Sequence, residues 1–266
     1  MNPRSDLPIV VGGCHRSGTS LLRRVLNGHP RIDCPPEVPF FRDFFGEYRD
    51  DPLAHLRFSR TVRSMVDEDV AFAALGSAFV DLHATGARAR GKCRWADKTP
   101  ENAIHLDDWE RLLGDRWLYV HAVRNPLDTI ASIDEAGFPL TIPSALAERI
   151  AFYTRYTAAG LDWVAEHPQR ACIVVYEHVA RAPEHELGTL MRWLGESFHP
   201  HQLEVASTRH GRGLEDPKIA ASGLIHARSV GAWRQRLAEA DARAIWDATA
   251  TLWQRIDPDP LACMAR

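Results

Sequence analysis

The stretch Gly12-Gly13-Cys14-His15-Arg16-Ser17-Gly18-Thr19-Ser20 follows the apolar run Leu7-Pro8-Ile9-Val10-Val11 and leads into Leu21-Leu22. This pattern predicts a strand, a glycine-rich turn and a helix start. Gly13 and Gly18 stand five apart, the spacing of a loop whose backbone N–H groups cradle a phosphate. Backbone amides and the helix dipole favour an anion at such a place. Arg16 adds a forked donor for phosphate or sulfate oxygens, and Ser17, Thr19 and Ser20 add hydroxyls. The position where a P-loop kinase or ATPase carries Lys holds Thr19. That argues against ordinary Mg²⁺-dependent phosphoryl transfer.

Three further groups could do chemistry with such a loop. Arg124, after the apolar run Trp117–Val123, precedes Ser132 by about two helical turns. The pair can supply a bidentate fork and a hydroxyl to a second anion, unless Arg124 simply pairs with Asp128. Lys98 lies in Ala96-Asp97-Lys98-Thr99-Pro100-Glu101-Asn102. A compact ammonium there can stabilise developing negative charge, or form a surface pair with Asp97. Glu37, in Cys34-Pro35-Pro36-Glu37-Val38-Pro39, is a lone carboxylate on a restricted backbone, either a candidate proton acceptor or a helix-capping or solvent-facing residue. His29, in the turn His29-Pro30, reads as a turn residue rather than a base.

The run from Val10 through Asn27-Gly28-His29-Pro30 to Glu37 resembles the 5′-phosphosulfate-binding region of sulfotransferases that use 3′-phosphoadenosine-5′-phosphosulfate (PAPS). It is most similar to the tyrosylprotein-sulfotransferase-like branch and its bacterial relatives, whose loop reads P-R-S-G-T-T/S. His15 replaces the Pro, leaving Arg16, Ser17, Gly18, Thr19 and Ser20 in register. The resemblance implies a 3′-phosphate site at Arg124 and Ser132, a sulfuryl contact at Lys98 and a catalytic Glu at Glu37. It also implies a nucleotide contact at Tyr176, in a strand ending Tyr176-Glu177, and phosphate contacts at Arg228 and Ser229 in Ile225–Trp233. It covers Ile9–Phe41, Trp95–Ile133 and, more loosely, Ala145 to the end. The branch carries a disulfide near its Glu and Lys, and Cys34 and Cys93 lie near the matching places. Cys93 is displaced, however, and free thiols are the default in a reducing compartment.

The elements that would position these groups can be read coarsely. Strands are expected at Pro8–Val11, Trp117–Val123, Ala171–Tyr176 and, more weakly, Arg94–Ala96. Helices are expected at Thr19–Leu26, His105–Leu113, Pro126–Glu135, Ser144–Glu166, Glu184–Leu194 and Ala238–Arg255, the last closed by Asp257-Pro258-Asp259-Pro260. This alternation implies an α/β fold: a P-loop-like, mostly parallel sheet flanked by helices. The segment Phe41–Arg90 carries no strand signal and reads as a helical insertion or lid. That segment and Phe138–Pro143 are the expected walls of an acceptor pocket.

The chain has 266 residues, 45% of them hydrophobic and 25% charged, with a net charge of −3. One domain over 1–266 is expected. The near-neutral balance gives no pull toward nucleic acid or an anionic membrane. No leader or membrane span is apparent, and the reading is cytoplasmic. Five scattered cysteines form no C-x-x-C, and no metal is expected. The sequence thus points to a sulfotransferase using PAPS as co-substrate without a metal, on a small-molecule or peptide acceptor with a hydroxyl or amine. A homodimer is left open. The alternatives are a P-loop nucleotide kinase and a non-catalytic nucleotide-binding protein.

Overall fold

The structure is a computed structural model that describes residues 4–46, 61–136 except 63, 143–205 and 224–256. Five parallel strands form one sheet: β1 (Ile9–Gly13), β2 (Ile32–Asp33), β3 (Arg94–Lys98), β4 (Leu118–Val123) and β5 (Ala171–Val175). Their order is β2-β3-β1-β4-β5, so β1 lies at the centre, with Val11 beside Lys98 and Gly13 beside Ala122. A strand covered on both faces has no polar side to show, which is why β1 and β4 read as nearly continuous apolar runs.

The two faces build separate cores through the period of two along a strand. Ile9, Val11, Leu118 and Val120 pack with Leu22, Leu26, Leu190 and Met191 on one face. Val10, Trp117 and Tyr119 pack with Phe72, Phe79, Trp95 and Trp109 on the other. The first face is covered by α1 (Thr19–Gly28) and α8 (Pro183–Leu194). The second is covered in part by α3 (Glu68–Ala89) and α4 (Leu106–Leu113). The short α2 (Phe40–Phe45) adds Phe41 and Phe44 to this core. A third core joins α5 (Pro126–Ala136), α6 (Leu146–Glu166) and α9 (Glu239–Gln254) through Ile130, Ile133, Tyr153, Tyr156 and Ile245.

The structure refines the expected boundaries. β3 runs through Asp97 and Lys98, so both charged residues are in the strand and buried. β5 ends at Val175, and Tyr176 opens a short helix, α7 (Tyr176–Arg181). β2 is two residues long, too short for any period to register. Within 41–90, α3 is 22 residues long and apolar enough to cross a membrane by length and composition, yet it lays Ala71, Phe72, Phe79 and Ala87 in the core beside the sheet. Residues 47–60 and 138–142, which fall in the two expected acceptor-pocket segments, lie outside the described residues, as do Asp257–Pro260.

Candidate active site at the carboxyl ends of the strands

The loop between β1 and α1 owes its shape to backbone freedom. Gly18 has φ +90°, and a Cβ there would lie 2.6 Å from the Tyr176 ring. Gly13 lies so close to β4 that a Cβ would sit 2.3 Å from the Ala122 carbonyl oxygen. Arg16 itself takes φ +69°, a conformation that costs a side-chain-bearing residue energy and recurs at functional sites. α1 starts at Thr19 with no acidic residue in its first turn, so its dipole and free amides are open to an anion. The Ser17 hydroxyl is buried without a hydrogen-bond partner.

A cavity opens beyond the loop. Arg16, Gly18, Thr19, Ser20, Arg124, Ser132, Tyr176 and Ser229 all line it, as do His226 and Arg236. The Arg16 Nε–H donates to Ser132 Oγ at 3.1 Å. Arg124 donates to the carbonyls of Arg16 at 3.0 Å and Ser229 at 2.7 Å, and its guanidinium lies 4.7 Å from the centre of the Tyr176 ring. No Arg124–Asp128 pair forms. Asp128 instead accepts the backbone N–H groups of Gly231 (2.7 Å) and Trp233 (2.9 Å), anchoring the late segment over the cavity. Asn125 Oδ1 caps α5 by accepting the Leu127 N–H at 2.9 Å. The Asn125 N–H donates to Glu177, whose carboxyl is pushed above the usual range by burial.

Arg228 is exposed and does not line the cavity, whereas Ser229 does. Arg236 escaped the sequence reading, whereas His226 was in view as the next candidate base should Glu37 fail that role. His226 lies inside the quoted run Ile225–Trp233. Arg236 gave no signal, because only the 3₁₀ turn Ala232–Gln235 and its anchor Asp128 bring it back to the cavity.

Next to this cavity lies a second group. Lys98, 1% exposed, donates to Ser20 Oγ at 3.3 Å and forms a close ion pair with Glu37. Ser20 therefore belongs to both regions. Lys98 does not pair with Asp97, because successive strand residues face opposite ways. The Asp97 carboxylate accepts Asn102 Nδ2–H at 2.7 Å and lies 3.2 Å from His83 Nε2 on α3. Asn102 also donates to the Val11 carbonyl and accepts the Trp109 Nε1–H, each at 3.0 Å. This network sews the turn after Lys98 to β1 and fixes where the ammonium stands.

His29 lies away from both regions. Its Nε2–H donates to the Ser197 carbonyl and its Nδ1 accepts the Arg31 N–H, so it holds a turn, with its pKa lowered by burial. Cys34 and Cys93 are free: Cys34 is buried, with its thiol pushed up to about 12 by burial, and Cys93 is exposed. Cys263 lies outside the described residues. Among the described residues no group of His, Cys, Asp and Glu could hold a metal ion.

Residues 8–200 match the model of the Sulfotransferase family. The chain is 24% identical over 257 residues to a Caenorhabditis briggsae protein named as a candidate protein-tyrosine sulfotransferase, covering 92% of this chain and 86% of that one. The sulfotransferase domain of the Synechococcus PCC 7002 olefin synthase has the same fold. It superposes with a TM-score of 0.62 at 20% identity, covering 92% of this chain and 94% of that one. Mouse sulfotransferase SULT7A1 complexed with PAP superposes with a TM-score of 0.52 at 14% identity, over 98% and 89% of the two chains.

Proposed function

Because the chain belongs to the sulfotransferase family, we propose that it moves a sulfuryl group from PAPS to a hydroxyl or amine acceptor. One observation carries the reading: Ser20 joins an arginine-lined anion cavity to the Lys98–Glu37 pair. The cavity offers Arg16, Arg124 and the N-terminus of α1, besides an Arg236 paired with Glu135, which suits a nucleotide with two separate anionic groups. The PAP bound to the mouse neighbour supports the same donor class.

In this reading the acceptor oxygen or nitrogen forms a bond to sulfur. The bond from sulfur to the bridging oxygen of the 5′-phosphate breaks, and 3′-phosphoadenosine-5′-phosphate (PAP) leaves. Glu37 takes the acceptor's proton. Lys98 stabilises charge on the bridging and equatorial oxygens. The Lys98–Glu37 pair is the resting state, and the reacting groups part it. A kinase would need a strand-end acid for Mg²⁺. The Asp97 carboxylate is instead held by Asn102 beside His83, and Thr19 stands where the loop Lys would be.

Titration calorimetry tests the donor class. PAP should bind without Mg²⁺ and more tightly than adenosine-5′-phosphate, which lacks the 3′ group. Equal affinity, or a strict need for Mg²⁺, would sink it. Incubation with PAPS and fractionated metabolites should then reveal an acceptor by a mass gain of one sulfuryl group.

A further inference from the structure

His15 stands where the resembling loops carry proline, and the donor cavity makes no use of its imidazole. Its Nε2 lies 3.3 Å from Glu101 Oε1, and the same oxygen accepts Arg42 Nη1–H at 2.8 Å. All three side chains are largely buried, at 15%, 9% and 13% exposure. The imidazole also packs against Phe152 and Tyr156 of α6, with ring centres 5.6 and 5.9 Å away.

What these residues join matters more than the contacts alone. His15 immediately precedes Arg16 in the loop. Glu101 sits in the 3₁₀ turn Pro100–Ile104, three residues after Lys98. Arg42 lies on α2, the helix that the Glu37 segment runs into. We propose that Glu101 is a positioning residue of the transfer site, one buried carboxylate that ties the loop, the Lys98 turn and the Glu37 segment together. It holds Glu37 against Lys98 without touching the reacting atoms. Burial alone would raise its pKa, but His15 and Arg42 hold it down to about 2, so it stays an anion at every working pH. The loop arm is the approach of the His15 imidazole to Glu101, which a proline at position 15 could not make.

This inference rests on the proposed sulfuryl transfer, and its test separates the two. Turnover, acceptor KM and PAP affinity are measured for wild type, Glu101→Gln, Arg42→Met and the double variant. Backbone amide exchange of residues 38–45 is followed in parallel. A displacement of about 1 Å at reacting groups can cost about 10²-fold. Each single variant should therefore lower kcat about tenfold or more, and acceptor KM should rise less than kcat falls. PAP affinity should stay within about threefold, since the donor cavity is held by other contacts. The double variant should be no worse than the worse single, because both remove one network. Exchange should accelerate at 38–45 and not in the central strands. His15→Pro should give a smaller loss and carries the test if Glu101→Gln fails to fold.

Turnover within about twofold of wild type, losses that multiply, or a matching loss of PAP affinity would overturn the role. If wild type neither binds PAP nor transfers sulfuryl groups, the proposed function fails. Exchange at 38–45 then still reports whether the tie exists, and an unchanged rate there removes it.

Discussion

Arg124 on the donor side of the loop and Lys98 on the transfer side are both buried cations, at 5% and 1% exposure. Only Lys98 has a carboxylate in contact. Among the described residues Arg124 forms no ion pair and donates instead to two carbonyl oxygens. Lys98 meets Glu37, and beside it Arg42 and His15 share Glu101. A buried cation held by carbonyl oxygens, with a carboxyl acting on it only from beyond contact, gains more from an incoming anion than one already in an ion pair. The donor side is thus set to bind an anion and to gain stability by doing so. The transfer side is neutral at rest and must be opened, so its charges act only when the reacting groups separate them. Binding and chemistry are divided between two treatments of the same kind of charge.

The largest expected effect comes from making the two sides alike. Glu37→Gln removes the countercharge of Lys98 and, in our reading, the base. Turnover should fall about 10²–10⁴-fold, or roughly 3–5 kcal/mol in the barrier. The unpaired ammonium should also behave as Arg124 does: the variant should melt lower without ligand and be stabilised by sulfate more than wild type is. Lys98→Ala should lower turnover by a different route, the loss of charge stabilisation. A phenol with an electron-withdrawing substituent loses its proton more readily. It should partly rescue Glu37→Gln and leave Lys98→Ala impaired. Near-wild-type turnover of Glu37→Gln on an ordinary alcohol would take the base role from Glu37.

The two sides also differ in how much of them the sequence disclosed. The loop was legible because its requirement is local: glycine where the backbone must turn or approach Ala122 and Tyr176, and a dipole at the next helix start. Arg124 and Ser132 were legible from a strand end and two helical turns. The ties of the transfer side were not. Lys98 itself was singled out, but the weak strand was expected to stop at Ala96, and only the network with Asn102 and His83 explains how β3 continues through Asp97 and Lys98. Glu101, Arg42 and His15 are 86 positions apart at their extremes, and no period links them. The late segment was read by residue type, which named Arg228 and Ser229 alike, although of the two only Ser229 lines the cavity. Its real placement depends on Asp128 accepting backbone amides, a bond that any residue at 231 or 233 except proline can donate.

A second effect acts on the sheet beneath both sides. His121 on β4 is fully buried beside β1, with its Nδ1 2.8 Å from the Tyr119 hydroxyl. Gly160 on α6 packs so closely that a Cβ there would lie 2.1 Å from the ring. Burial lowers the pKa of His121 from 6.5 to about 4. The unfolded chain therefore takes up a proton below about pH 6.5 that the folded chain refuses until about pH 4. Stability is fully present above that window and should fall by roughly 3 kcal/mol as pH drops through it. Urea midpoints at pH 7 and pH 4.5 check this, and a flat profile would contradict it. Because the loss strikes both sides together, their comparison is sharpest above pH 6.5.

The smallest of these effects isolates the donor side. Arg124→Ala removes a charged fork, and hydrogen bonds to charged groups contribute about 1.5–3 kcal/mol. PAP affinity should fall roughly tenfold or more. The ligand-free melting temperature should barely move, since the lost contacts to the carbonyls of Arg16 and Ser229 are offset by relief of a buried charge that no carboxylate contacts. Adenosine-5′-phosphate, which lacks the 3′ group, should lose less affinity than PAP does, so the preference between the two nucleotides should shrink. Lys98→Ala should do the reverse, leaving that preference intact while turnover falls. Calorimetry with both nucleotides on both variants gives four affinities. If Arg124→Ala weakens the two nucleotides equally, Arg124 holds something they share rather than the 3′-phosphate. If it unfolds the protein while the folded remainder keeps its affinity, the guanidinium serves the loop and the late segment it bridges, and the division between an open donor side and a closed transfer side would not hold.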